Sequence, residues 1–147
     1  MINLTREQIE NEPAGRTMDA LVAEYVMGWA KSIAPDVIWY ADDEYKKMLG
    51  DVFFFYNNVV RHANKNGYGL FQPSTDIAAF WMVIDKLDRK EWDIQIVSNT
   101  EEKGEEWSVS FYHYSETEAL EYGSASAKTV PLTGCRARLL AMLEREA

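Results

Sequence analysis

Apolar residues recur along this chain with two different periods, and the change of period separates helical from stranded stretches. In TMDALVAEYVMGWAK, residues Met18, Leu21, Val22, Tyr25, Val26 and Trp29 fall on one helix face. Thr17 reads as its N-cap, with Asp19 and Glu24 on the solvent side. Ahead of it, Thr5 and Gln8 have capping-box spacing, which predicts a short helix to about Asn11 that stops at Pro13 and Gly15. In PSTDIAAFWMVIDKL, residues 73–87, an apolar stripe runs through Ile77, Phe80, Trp81, Ile84 and Leu87. Pro73 and Ser74 or Thr75 open that helix, and Asp76 complements its positive end. The stripe holds nothing titratable, so it is packing surface. A last helix, PLTGCRARLLAMLE, carries Leu132, Cys135, Leu139, Met142 and Leu143 at the same spacing.

After Lys90 the period becomes two. Trp92, Ile94 and Ile96 alternate with Asp93, Gln95 and Val97, and Trp107, Val109 and Phe111 alternate with Ser108, Ser110 and Tyr112. The connection NTEEKGEE suits a hairpin loop, and LEYGSASA at 120–127 alternates again, so the three strands form an antiparallel meander. Earlier in the chain, Pro35 ends the first major helix and VIWYA at 37–41 has strand composition. Between 42 and 72 the pattern blurs. Tyr45, Met48, Leu49, Val52, Phe53 and Tyr56 fit a helix about as well as two short strands. The preferred reading is a helix over 43–64, a turn at Asn66 and Gly67, and a short strand at 68–71.

With 147 residues, 47% of them hydrophobic, the chain suits one domain with a sizeable core, 1–147. Its net charge of −9, with no segregated basic face, would repel a phosphate backbone, so direct nucleic-acid binding is not expected. Cys135 is the single cysteine, which excludes an internal disulfide and any multi-cysteine zinc site. No apolar run approaches the roughly 18 residues of a spanning helix, and no leader pattern opens the chain. A soluble cytoplasmic protein without a cofactor is expected.

Three stretches then stand together in order, PAGRTMDALVAEYVMGW, STDIAAFWMVIDKL and PLTGCRARLLAMLE, with a tryptophan-led hairpin between the second and third. This set resembles the phage ABA sandwich family, over roughly two-thirds of the chain. The resemblance implies an α/β/α layered fold and a phage or prophage origin, and it supplies no activity or catalytic residue. Segment 42–72 is longer than the corresponding connection of the family pattern and reads as a family-variable insertion. The architecture expected is therefore α+β: an α/β/α sandwich-like single domain with a small antiparallel sheet and packed helices.

Candidate chemistry is sparse. His113 continues the alternation of its strand and reads as a residue of the sheet margin, and His62 reads as a helix-end residue. Cys135 lies beside Arg136 near a helix start, which could activate a thiol, but it also begins an apolar stripe that points it inward. The acidic runs at 42–44 and 101–106, with Glu116, Glu118 and Glu121, lack calcium-loop spacing and read as a solvated rim. Phosphate-loop, dinucleotide, nucleophile-elbow and zinc-protease motifs are missing, and the aromatics are not interleaved with basic residues as in RNA-recognition strands.

The arginines are the unexpected feature. Arg16 precedes one helix, and Arg136 and Arg138 are placed in the first turns of another, where the helix dipole disfavours cations. Either Asp19, Glu24 or Asp76 pairs with them, or the helix amides and guanidinium groups bind an anion. The second possibility gathers Gly15, Arg16, Thr17, Ser74, Thr75, Arg136 and Arg138 as ligand-binding residues.

The expected function is a non-enzymatic phage or prophage binding protein, a monomer or a homo-oligomer, that takes an anionic small molecule such as a nucleotide signal of host defence. The alternative is an acidic inhibitor or adaptor that docks on a host protein through 42–72, using FFFYNNVV as an apolar patch. A hydrolase using Asp76 and His113 ranks third, since it requires those two side chains to meet over a substrate.

Overall fold

The computed structural model describes residues 3–32, 50–99, 106–115 and 117–146. The strand expected at 37–41, the tip of the NTEEKGEE loop and the part of the expected helix before Gly50 lie outside these residues.

Helix α1, Arg6–Asn11, has the predicted capping box: Thr5 Oγ1 accepts from the Gln8 amide at 3.2 Å and Gln8 Oε1 accepts from the Thr5 amide at 2.8 Å. Helix α2, Arg16–Leu21, starts two residues earlier than predicted, with Gly15 rather than Thr17 at the N-cap. It then widens into a π-helical turn, Val22–Val26, where the Met27 amide reaches Val22 and the Trp29 amide reaches Ala23. Gly28, at φ 72°, makes the exit turn that carries Trp29 into the core. Asp19 is not on the solvent side as expected. It is 2% exposed, because the chain entering the next helix packs over it.

Residues 30–31 and 52–70 build a sheet that the helical reading of 43–64 does not contain. Its strands are β1 Ala30–Lys31, β2 Val52–Tyr56, β3 Val59–Asn64 and β4 Gly67–Leu70, in that spatial order, with β1 parallel to β2 and the other pairs antiparallel. The tight turn is Asn57 and Asn58, both at positive φ, the backbone shape a two-residue hairpin needs. Phe53 enters the main core while Phe54 joins Ala63 and Val52 in a second cluster. A strand with apolar residues on both faces loses its period of two, which is why FFFY looked as helical as stranded. Phe53 and Phe54 are thus core residues, and Phe55 and Tyr56 are the exposed part of that run.

Helix α3, Ile77–Asp85, is capped by Asp76, whose carboxylate accepts from the Ala78 amide at 3.1 Å; Ser74 and Thr75 do not cap it. Its buried side is Ala79, Phe80, Val83 and Ile84, followed by Leu87. Ile77 and Trp81, counted in the predicted stripe, are exposed together with Met82.

The predicted meander is present as β5 Trp92–Asn99, β6 Glu106–Tyr114 and β7 Ala119–Ala127. Helix α4, Val130–Glu146, lies across β6 and β7 and meets α1, α3 and the π turn on its other sides. Two glycines allow this packing. Gly123, at φ 76° within a bulge, sits against the backbone of Ala137 and Ala141, and Gly134 sits against the Phe80 ring. One apolar cluster joins Phe53 and Val60 of the first sheet, Val109 and Phe111 of the second, and Cys135, Leu139 and Leu140 of α4. The fold is α+β, with four α-helices and two small sheets among the described residues. Among the described residues no helix is long and apolar enough to cross a membrane.

Candidate anion-binding site

The seven residues singled out in the sequence are distributed over three places. Gly15 and Ser74 do converge: the Gly15 amide donates to Ser74 Oγ at 3.0 Å, and the Ser74 amide donates to Asp19 Oδ1 at 2.8 Å. The centre of that junction is therefore a buried carboxylate, which repels an anion and draws in no arginine. Burial raises the Asp19 carboxyl above its usual range, against the opposing effect of the Ser74 hydrogen bonds. Thr17 and Thr75 are exposed beside it. Arg16 points away and donates to Asn58 Oδ1 of the β2–β3 turn. Arg136 donates through Nε and Nη2 to the Glu12 carbonyl, at 3.2 and 2.8 Å, and so ties α4 to the end of α1. Because α4 begins at Val130, Arg136 and Arg138 lie in its interior and not at its positive end.

Arg138 has a different environment. Trp92 of β5 and His113 of β6 are cross-strand partners at one end of the meander, their rings 4.9 Å apart, and Tyr122 of β7 packs edge-on to both. Over this aromatic shelf α4 lays Arg138, Met142 and Arg145, a spacing of four and three that keeps them on one helix face. Arg138 Cζ is 5.7 Å from the Trp92 ring centre and 6.0 Å from that of Phe111, and Arg145 Cζ is 5.4 Å from Trp92. The four side chains of Trp92, Arg138, Met142 and Arg145 line a hollow of about 290 Å³.

Burial lowers Arg138 to about 10, which leaves it a cation at neutral pH. No carboxylate among the described residues lies within ion-pair distance of it, and its Nε is buried without a hydrogen-bond partner. His113 Nε2 is likewise buried without a hydrogen bond, with Glu91 at 3.7 Å. Contact with aromatic faces recovers on the order of 1–2 kcal/mol for a desolvated cation. That is less than the several kcal/mol an enclosed charge costs without a counter-ion. Two buried polar atoms, Arg138 Nε and His113 Nε2, thus lie beside one indole with no hydrogen-bond partner among the described residues.

A family model described as Phage ABA sandwich domain matches residues 20–139. The chain belongs to that family. No curated protein and no solved structure matches it. The phage ABA sandwich assignment covers β5, β6, β7 and Arg138 but stops before Met142 and Arg145, so two of the three residues of the hollow's helical wall fall beyond the matched region.

Within this phage ABA sandwich domain the other candidates have structural surroundings. Cys135 is fully buried, and burial, with Asp19 adding to it, pushes its thiol well up. Asp76 caps α3 and His113 packs on Trp92, so the two groups of the hydrolase reading have different partners. His62 is a strand residue and not a helix-end one: it stacks on Trp29 at 3.8 Å, with Nε2 2.7 Å from Asp51. Trp92, Met142 and Arg145 were absent from the sequence-derived set. The signal for them was the spacing of Arg138, Met142 and Arg145 on one helix face, which the assignment of Arg138 to a helix start concealed.

Proposed function

We propose that this phage domain is a binding protein for a small anionic ligand, held by Arg138 and Arg145 over Trp92. The observation that carries the proposal is the buried Arg138 guanidinium, charged at neutral pH and without a carboxylate partner among the described residues. A phosphate or carboxylate accepts from paired guanidinium groups in planar, bidentate fashion and supplies the missing counter-charge. Arg145 is exposed at the rim and suits capture, whereas Arg138 suits retention. The hollow is close to the lower limit of typical ligand pockets, which favours one phosphate group with a small organic part over a long chain. For a phage-encoded protein, a nucleotide signal of host defence is the reading we favour within that class, and sequestration requires no catalytic residue.

Isothermal titration of the full chain with inorganic phosphate, AMP, cyclic AMP and a cyclic dinucleotide tests this. At least one should bind, more weakly as salt rises, and Arg138→Met should abolish the heat. Absence of heat with every member at low salt, or unchanged binding in Arg138→Met, overturns the proposal. In that event the docking reading through 42–72 gains, and a stoichiometric host-protein partner becomes the next thing to seek.

A further inference from the structure

A second hollow, of about 340 Å³, lies on the other sheet, where Trp29, carried inward by the Gly28 turn, meets β3 and α3. Its apolar walls are Trp29, Met27 and Met82. Methionines are soft, adaptable walls, suited to the faces of a flat ring. The Trp29 indole Nε1 is buried and has no hydrogen-bond partner, one of four such side-chain atoms found among the described residues. An enclosed N–H donor without an acceptor is costly, and water or a ligand carbonyl would relieve it.

The rim supplies the complementary groups. Asp51 Oδ1 receives both His62 Nε2 at 2.7 Å and Asn64 Nδ2 at 3.0 Å. Those contacts hold the carboxylate below its usual pKa range, Asn64 contributing most and His62 next. The Asp51 side chain is 45% exposed, so its carboxylate stays open to a further donor. Asp85 and Lys86 complete the rim, so two carboxylates face one ammonium group and the net negative charge disfavours an anion, leaving an uncharged N–H donor as a fitting ligand.

We infer that this hollow binds a neutral planar heterocycle with an amide edge, the nucleobase type. A ring carbonyl takes the Trp29 N–H, a neighbouring ring N–H donates to Asp51 or Asp85, and the methionines close on the ring faces. The site is separate from the arginine hollow and stands or falls without it.

The test follows the Trp29 indole N–H resonance of the ¹⁵N-labelled full chain, assigned with Trp29→Phe, during titration with uracil, guanosine and 1,3-dimethyluracil. Saturable movement of that resonance with uracil or guanosine is expected, with binding about tenfold weaker for 1,3-dimethyluracil, which keeps the carbonyls and lacks the ring N–H. Met82→Trp, at a position 45% exposed and so tolerant of a larger ring, should fill the hollow and remove the response. Arg138→Met should leave it unchanged. No movement at millimolar uracil and guanosine, an equal response to the dimethylated ring, or an undiminished response in Met82→Trp each overturns the inference.

Discussion

The Asp19 carboxylate accepts the backbone N–H of Ser74 at 2.8 Å across 55 residues of chain, with both residues almost wholly buried. This bond joins α2 to the entry of α3. It also places a carboxylate where a pairing with Arg16 or Arg136 was expected from the sequence.

Burial raises the Asp19 carboxyl, so the folded state holds its proton more tightly than the unfolded state does. The stabilisation this gives is complete below the ordinary value of 3.8 and is lost as pH rises through the raised folded value. At pH 7, where the carboxyl of the unfolded chain is ionised, burying Asp19 is a net cost. Asp19→Asn, which keeps an acceptor for Ser74, should therefore equal or exceed the parent's stability at pH 7, by up to about 1 kcal/mol, and show no advantage at pH 3. Asp19→Ala should lose about 2 kcal/mol at pH 7 by orphaning the Ser74 amide. Urea denaturation at the two pH values checks all three outcomes.

Gly123→Ala should be among the most damaging small substitutions. A methyl group there meets the Ala137 carbonyl and the Ala141 amide, and φ is positive. The Gly123 amide also donates to Glu144 Oε2 at 2.7 Å, so moving the strand away from α4 loses that bond. A loss of about 3 kcal/mol is expected by urea denaturation, combining overpacking with left-handed strain.

Arg138→Met should separate stability from binding. Replacing an enclosed, unpaired cation by an apolar chain of similar length is neutral to stabilising, by about 1 kcal/mol or more, while ligand heat disappears. In the parent, the cost of holding this charge is constant through neutral pH and is relieved only as pH rises past about 10. Anion affinity should accordingly lose Arg138's contribution only above that value. Thermal melting of both proteins and titration between pH 7 and 10.5 test these points.

The Cys135 thiol, fully buried and pushed well up by desolvation, should not react with a disulfide reagent in the native state at pH 8. One equivalent should react once the chain is unfolded in guanidinium. Stoichiometric labelling of the folded protein would contradict the packing described for α4.

Much of this molecule follows from local chemistry. The capping box of Thr5 and Gln8, the alternation of Trp92 to Val97 and of Trp107 to Tyr112, and the inward face of Cys135 and Leu139 each depend on near neighbours in sequence, where side-chain period and backbone geometry are coupled directly. The same spacing arguments underlay the family resemblance, which the match over 20–139 bears out.

What tertiary structure decided was whatever depends on which face a distant element covers. Phe53 and Phe54 are strand residues because both sides of β2 are packed, a fact that erases the alternating signal and leaves helix and hairpin equally plausible from sequence. Asp19, polar and early in its helix, is buried because Ser74 arrives over it. Arg138 is set apart from Arg136 by two residues of helix rotation, which turn one toward the Glu12 carbonyl and the other onto Trp92. A charge's partner, unlike a helix's period, lies across space from it, so one line of residues names the arginines, and only the folded chain shows that Arg16 and Arg136 meet neutral oxygens of Asn58 and Glu12 while Arg138 is enclosed against Trp92 with no carboxylate partner among the described residues.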